Sequence, residues 1–115
     1  MSYDLVFWRQ VGSCPAKPSD VYRELSDGTS VDGLATIQPH DLVERVEEVF
    51  PGTQKLGGQI FWEGGSRGMF ELVASDQHIH FCCRQMNGDE MNKIIDLAAE
   101  FDLRLYDPQI DKQFG

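Results

Sequence analysis

Three side chains that can bind a transition metal recur at alternate positions of one segment. His78, His80 and Cys82 would point to the same side of a β-strand, and imidazole with thiolate suits zinc. A fourth ligand is not identifiable, and the sequence contains neither a CxxC nor an HExxH motif. The favoured interpretation is therefore cross-strand surface histidines, with no metal site and no cofactor, and metal binding by these three residues is the less favoured alternative.

The remaining reactive residues also give no support for catalysis. Cys82 is followed directly by Cys83 within a strand pattern, and no helix start is placed to lower the pKa of either Cys82 or Cys14. The glycine-rich residues 57–68 match neither the GxxxxGK[ST] nor the GxGxxG phosphate-binding pattern. No pair of carboxylates can be assigned to acid–base chemistry from spacing. We therefore predict that the protein is not an enzyme.

Charge is the most informative property of the composition. Nineteen acidic residues against ten basic ones give a net charge of −9, with an isoelectric point of about 4.6. This balance argues against nucleic-acid binding and against anionic membrane surfaces. It suits a protein that associates quickly with a basic partner, and solubility alone is the simpler explanation.

Length and targeting signals predict a single cytoplasmic domain. The 115 residues suffice for one hydrophobic core, so residues 1–115 are predicted to form one domain. No apolar stretch is long enough to cross a bilayer, and Arg9 interrupts the apolar run near the start, which is not typical of a signal peptide. The three cysteines cannot form an even disulfide framework, which fits a reducing compartment.

Hydrophobic periodicity predicts three helices and four or five strands, depending on whether residues 60–62 form a strand. The strands are residues 3–9, 60–62, 69–75, 78–84 and 103–106, and helices begin at Pro18, Pro39 and Asn87. A polar tail is predicted after Asp107. This order predicts an α+β fold whose antiparallel sheet carries the helices on one face, in the ferredoxin-like split β-α-β topology.

Alternation along the strands assigns residues to the two faces of that sheet. Ile79 and its alternate neighbours are the predicted core face, which leaves His78 and His80 on the free face. The same alternation places Asp4 and Trp8 of the first strand and Tyr106 of the last strand there. Aromatic side chains beside charges are typical of a protein-binding patch. In the alternative interpretation, Trp8 and Tyr106 merely cover the sheet, or the residues after Asp107 fold over it.

The predicted partner-binding residues combine this face with acidic side chains elsewhere. The aromatic residues are expected to act as anchors, and the acids to supply the attractive field. The full set is Trp8, Tyr106, Trp62, Asp4, Glu44, Glu47, Glu48, Glu63, His78 and His80.

Several short segments resemble a group of small bacterial proteins. They are residues 1–8 (MSYDLVFW), 50–52 (FPG), 68–72 (GMFEL), 88–92 (GDEMN) and 105–109 (LYDPQ). The group is similar to the immunity proteins encoded beside polymorphic toxins of contact-dependent inhibition, Rhs and type VI secretion systems. The resemblance implies a cytoplasmic protein that binds a cognate toxin domain and blocks it, with a basic nuclease as the expected toxin type. It offers no catalytic residues to transfer.

Two rival functions remain open at this stage. A ferredoxin-like small-molecule sensor would bind a metabolite at a dimer interface, whereas an inhibitor is expected to be a monomer or a weak dimer. A small metal-dependent enzyme would use His78, His80 and Cys82. Inhibition by occlusion of the toxin active site is the favoured function.

Overall fold

The strands of the described residues form one antiparallel sheet. The computed structural model describes residues 2–12, 17–57 and 59–114, so the predicted role of Cys14 lies outside the described residues. The elements in chain order are β1 (Ser2–Trp8), α1 (Pro18–Ser26), α2 (Pro39–Val49), β2 (Gln54–Leu56), β3 (Gln59–Glu63), β4 (Met69–Ala74), β5 (Ile79–Arg84), α3 (Gly88–Glu100), β6 (Arg104–Asp107) and β7 (Lys112–Gln113), with a 3₁₀ turn at Gly65–Arg67.

The sheet places the first strand near its centre. Its seven strands follow the order β2-β3-β4-β5-β1-β6-β7, and every neighbouring pair is antiparallel. The predicted α+β class with an antiparallel sheet is confirmed. The two edge strands β2 and β7 were not predicted, because three and two polar-rich residues carry no readable period. The predicted polar tail after Asp107 thus turns back and pairs with β6 through β7.

The residues at the start of each helix explain where that helix begins. Pro39 occupies the first turn of α2, where a missing amide N–H removes no helical hydrogen bond. Asn87 caps α3, since its side-chain oxygen accepts a hydrogen bond from the Glu90 amide N–H at 2.9 Å. The predicted starts of all three helices are confirmed.

The hydrophobic core is divided between the two faces of the sheet. Leu5 and Phe7 of β1 belong to a large cluster with residues of α2 and α3. Val6 and Trp8 point the other way and pack in a second cluster that includes α1. The prediction that all helices lie on one face is therefore wrong. The physical reason is that β1 lies near the centre of the sheet and its residues from Leu5 to Trp8 are all apolar, so both of its faces must be covered.

No helix among the described residues has both the length and the apolar character that crossing a bilayer requires.

Candidate partner-binding face

Only part of the sheet is left without a covering helix. On the α1 side, α1 and the following loop cover β1 and β6, where Tyr22 contacts the rings of His80 and Tyr106. Beyond this contact, none of the described helices packs over the side chains that strands β2 to β5 present on this side. We call this surface the open face. It consists of Leu56, Phe61, Glu63, Met69, Glu71, Val73, Cys82 and Arg84.

The strand registers explain why these side chains lie together. Phe61 is paired with Glu71, and Glu71 with Cys82. Directly paired residues project to the same side of a sheet, so a row of side chains runs from β3 across β4 to β5. The parallel row to one side contains Glu63, Met69 and Arg84. Their opposite neighbours, such as Trp62 and Phe70, belong to the core.

The open face contains a shallow hollow and exposed apolar side chains. The hollow has a volume of about 270 Å³ and is lined by Phe61, Glu63, Met69, Glu71, Cys82 and Arg84 among others. Beside it, 72% of Leu56 and 40% of Val73 is exposed. Apolar side chains of this size exposed beside a concave surface are typical of interaction sites.

The charged side chains of the open face form no ion pairs among the described residues. Among the described residues, the side-chain carboxylates of Glu63 and Glu71 accept no hydrogen bond and form no ion pair. Arg84 forms no ion pair with a carboxylate there and interacts instead with the thiol of Cys82. Two free carboxylates beside apolar side chains favour a partner that brings a cation and an apolar group together.

Asp4 and His80 lie at the border between the open face and the part under α1. The imidazole Nε2 of His80 is 3.0 Å from the Asp4 carboxylate. Asp4 also faces Cys82 across the sheet, and burial together with the Asp4 charge raises the pKa of the Cys82 thiol. A raised pKa favours the protonated thiol over the nucleophilic thiolate.

The three predicted aromatic anchors are buried, so the prediction that Trp8 and Tyr106 lie on a free sheet face is wrong. Trp8 and Tyr106 are each only 2% exposed, and their ring centroids are 5.4 Å apart under α1. Trp62 is 3% exposed and packs against Phe50 and Phe70 in the other cluster. The physical reason is coverage: α1 lies over Trp8 and Tyr106, which agrees with the alternative that these residues merely cover the sheet.

Burial and internal hydrogen bonds account for the polar groups of two of these aromatic residues. The Tyr106 hydroxyl donates to the Asp111 carboxylate at 2.7 Å, and burial together with this bond raises the pKa of Tyr106 to about 12. The indole N–H of Trp62 donates to the carbonyl of Pro51 at 3.2 Å. These side chains stabilise the fold and present nothing to a partner.

His78 and His80 occupy different surroundings. His78 is buried, its Nδ1 lies 2.6 Å from the Ser75 hydroxyl, and burial lowers the pKa of its imidazole. Its predicted place on a free surface is wrong, because it precedes β5 and belongs to the turn from β4. The described residues gather three potential ligands only at the exposed His40, Asp41 and Glu44, so His78, His80 and Cys82 do not converge.

The predicted acidic residues of α2 are separated from the open face by the sheet. Glu44, Glu47 and Glu48 lie on the helix that packs against the opposite face. Lys55 is 3.2 Å from Glu47, and Arg45 is 3.1 Å from Glu48. Of the predicted set, only Glu63 belongs to the open face, and Asp4 and His80 adjoin it.

The residues that sequence reasoning missed carry a signal in β3 and β4. Gln59, Phe61 and Glu63 alternate with the buried Ile60 and Trp62, a period that becomes visible once the strand is extended by one residue at each end. In β4, Glu71 lies between the buried Phe70 and Leu72 and therefore points to the opposite, more exposed side of the sheet. Extending the alternation to both strands would have placed Phe61 and Glu71 on one face.

Comparison with known proteins adds no family to these observations. No protein-family model matches the chain, and no curated protein matches it significantly in sequence.

Proposed function

We propose that this chain is an immunity protein that binds a basic, nuclease-type toxin domain in the cytoplasm and blocks it. The open face is the proposed contact surface. One observation carries the proposal. The carboxylates of Glu63 and Glu71 have no ion-pair partner among the described residues, and they lie beside the exposed apolar side chains of strands β2 to β4.

The composition of this face matches what such a partner would need. Lys or Arg side chains of a toxin could pair with the carboxylates of Glu63 and Glu71 without breaking an ion pair among the residues that the structure describes. Phe61, Met69 and Val73 would be removed from water by the same contact, which is the main source of binding free energy in protein interfaces. The net charge of −9 would steer the encounter from a distance.

The strand order bears on the proposed fold relation and not on the proposed function. The four strands β4, β5, β1 and β6 are neighbours in that order, and α2 and α3 pack on one face. This arrangement supports a relation to the ferredoxin-like split β-α-β topology. The helix α1 on the opposite face and the added strands β2, β3 and β7 are departures from that plan.

The test is rescue of cell growth with matched charge reversals. The chain is co-expressed with the toxin domain encoded beside its gene, and growth and complex formation are measured. The variant Glu63→Lys/Glu71→Lys is expected to lose rescue and to weaken binding at least about tenfold. The variant Glu44→Lys/Glu48→Lys changes the net charge by the same amount on α2 and is expected to rescue.

Two results would contradict the proposal in different ways. Cell death despite the intact protein would exclude immunity towards that toxin. Loss of rescue by the α2 variant with full rescue by the β3–β4 variant would leave the function standing but move the contact surface to the other side of the sheet. Thermal unfolding of both variants shows whether either has simply lost its fold.

A further inference from the structure

A second concave site lies at the far end of the larger core cluster. It is a pocket of about 330 Å³ between the start of α2, the end of α3 and the point where β1 leaves the sheet. Its volume falls at the lower end of the range of small-molecule sites, roughly 300–1,000 Å³. Neither Glu63 nor Glu71 lines it, so it is separate from the open face.

The walls of this pocket are apolar core side chains that reach the surface. Leu42, Ile79 and Leu103 are buried members of the larger cluster, and Ile37 and Phe101 pack against it half-buried. Such a lining favours the hydrocarbon part of a ligand, because contact with it removes apolar surface from water.

Arg9 supplies the one basic side chain among the residues that line this pocket. It follows Trp8 by one position, and alternation from Phe7 directs it to the side of the larger cluster. Arg9 is half-buried and, within the described part of the chain, its guanidinium makes no ion pair and no side-chain hydrogen bond. A guanidinium in that state is suited to a planar oxyanion, which it can bind through two parallel hydrogen bonds.

We propose that this pocket binds an organic monocarboxylate with an apolar body of medium length. The carboxylate lies against the Arg9 guanidinium, and the hydrocarbon body lies along Ile37, Leu42 and Phe101. The acidic residue of the lining is Asp41, whose side chain is 78% exposed and whose carboxylate is 3.6 Å from His40 Nδ1. Because Asp41 repels anions, the site favours a single negative charge over a dianionic phosphate.

The first test uses three probes of equal chain length on the wild-type protein. Octanoate, 1-octanol and octylammonium are titrated by calorimetry and by methyl NMR of Ile37, Leu42, Ile79 and Leu103. Octanoate is expected to bind with one-to-one stoichiometry at least about tenfold more tightly than octanol, and octylammonium more weakly than octanol. Equal affinity for octanoate and octanol, or methyl shifts outside this pocket, would overturn the proposal.

The second test removes the cation. Arg9→Met keeps most of the side-chain length and is expected to weaken octanoate binding about tenfold or more while leaving octanol unchanged. Arg23→Met removes the same charge from an exposed ion pair with Asp20 on α1 and is expected to leave octanoate binding unchanged. Unchanged octanoate affinity in a folded Arg9→Met protein would refute the role of Arg9. If that variant does not fold, the comparison of the three probes on the wild-type protein decides.

Discussion

Glu90 illustrates how one carboxylate can join two elements of this fold. It is buried at the start of α3 and accepts hydrogen bonds from the Arg67 guanidinium at 3.1 and 2.9 Å and from Lys93 at 3.1 Å. Arg67 in turn lies over the Trp62 ring, 5.1 Å from its centroid. The 3₁₀ turn before β4 is thereby fixed against the first turn of α3.

Replacing this carboxylate should cost stability and change its dependence on pH. Glu90→Gln is expected to lower the free energy of unfolding by about 1–2 kcal/mol, because Arg67 and Lys93 lose a charged acceptor. Glu100→Gln weakens a surface ion pair with Arg45 and is the control: the Glu100 side chain is 48% exposed, against 10% for Glu90, so this change should cost much less. Urea unfolding at pH 7 measures both, and equal costs would contradict the special role of Glu90.

The sign of the pH effect follows from the same contacts. The hydrogen bond from Arg67 is the main reason that the pKa of Glu90 lies below its ordinary value of 4.5. A lowered pKa in the folded state contributes stability that is full above the unfolded pKa and is lost as the pH falls through the folded pKa. Below about pH 4.5 the wild-type protein should therefore lose stability more steeply than Glu90→Gln.

The burial of Trp8 predicts that this residue matters for folding and not directly for contact with a partner. Trp8→Ala is expected to destabilise the protein by about 3–5 kcal/mol, because it leaves a cavity between Tyr106 and α1. Phe61→Ala on the open face should cost less stability but reduce partner binding. Chemical unfolding and a binding assay on both variants separate the two roles. A stable Trp8→Ala protein that no longer binds would contradict the structure.

At the scale of elements, Gly68 determines how the 3₁₀ turn enters β4. Its φ angle is +99°, and a Cβ atom there would lie 2.7 Å from the carbonyl oxygen of Gln85. Gly68→Ala is expected to cost at least about 2 kcal/mol, because the strained φ angle and the backbone clash act together. Gly88→Ala in α3 is the control, since a Cβ there meets no atom within 4 Å. It should be neutral or stabilise by up to about 1 kcal/mol. The midpoints of thermal unfolding of the two variants should shift in opposite directions from that of the wild-type protein, or should differ from each other by several degrees.

The elements also show where sequence patterns are sufficient. In β5, Ile79, Phe81 and Cys83 alternate with partly exposed residues, and the predicted core face is confirmed. In β1 the residues from Leu5 to Trp8 are all apolar and buried, so alternation identifies two faces but not what covers them. The position of α1 depends on contacts between β1, β6 and the loop after α1, which are distant in sequence. The open face was not predicted for the same reason, because it is the part of the sheet that α1 leaves uncovered, and the sequence pattern does not show where α1 packs.

At the scale of the whole molecule, acidic charge is distributed over both sides of the sheet. Glu44 and Glu48 lie on the α2 side, and Glu63 and Glu71 lie on the open face. Long-range steering acts through the whole charge and is screened by salt, whereas close contacts act only at the interface. The association rate with a basic partner should therefore fall with added salt in the wild-type protein and also in Glu44→Lys/Glu48→Lys. Stopped-flow mixing at several salt concentrations measures this, and a rate independent of salt would exclude electrostatic steering.

The two core clusters share one strand, which predicts that the molecule unfolds as a unit. β1 contributes Leu5 and Phe7 to one cluster and Val6 and Trp8 to the other, so neither can be lost without exposing part of the same strand. The two tryptophans report on different clusters: Trp8 lies under α1, and Trp62 packs with Phe50 and Phe70. Trp8→Phe and Trp62→Phe each leave a single tryptophan, whose fluorescence is excited selectively over that of the three tyrosines. In each variant, the fluorescence midpoint in urea is expected to coincide with the far-ultraviolet circular dichroism midpoint. A Trp8 transition at lower urea than the loss of secondary structure would show that α1 and its cluster open first, and the shared strand would then not couple the two sides.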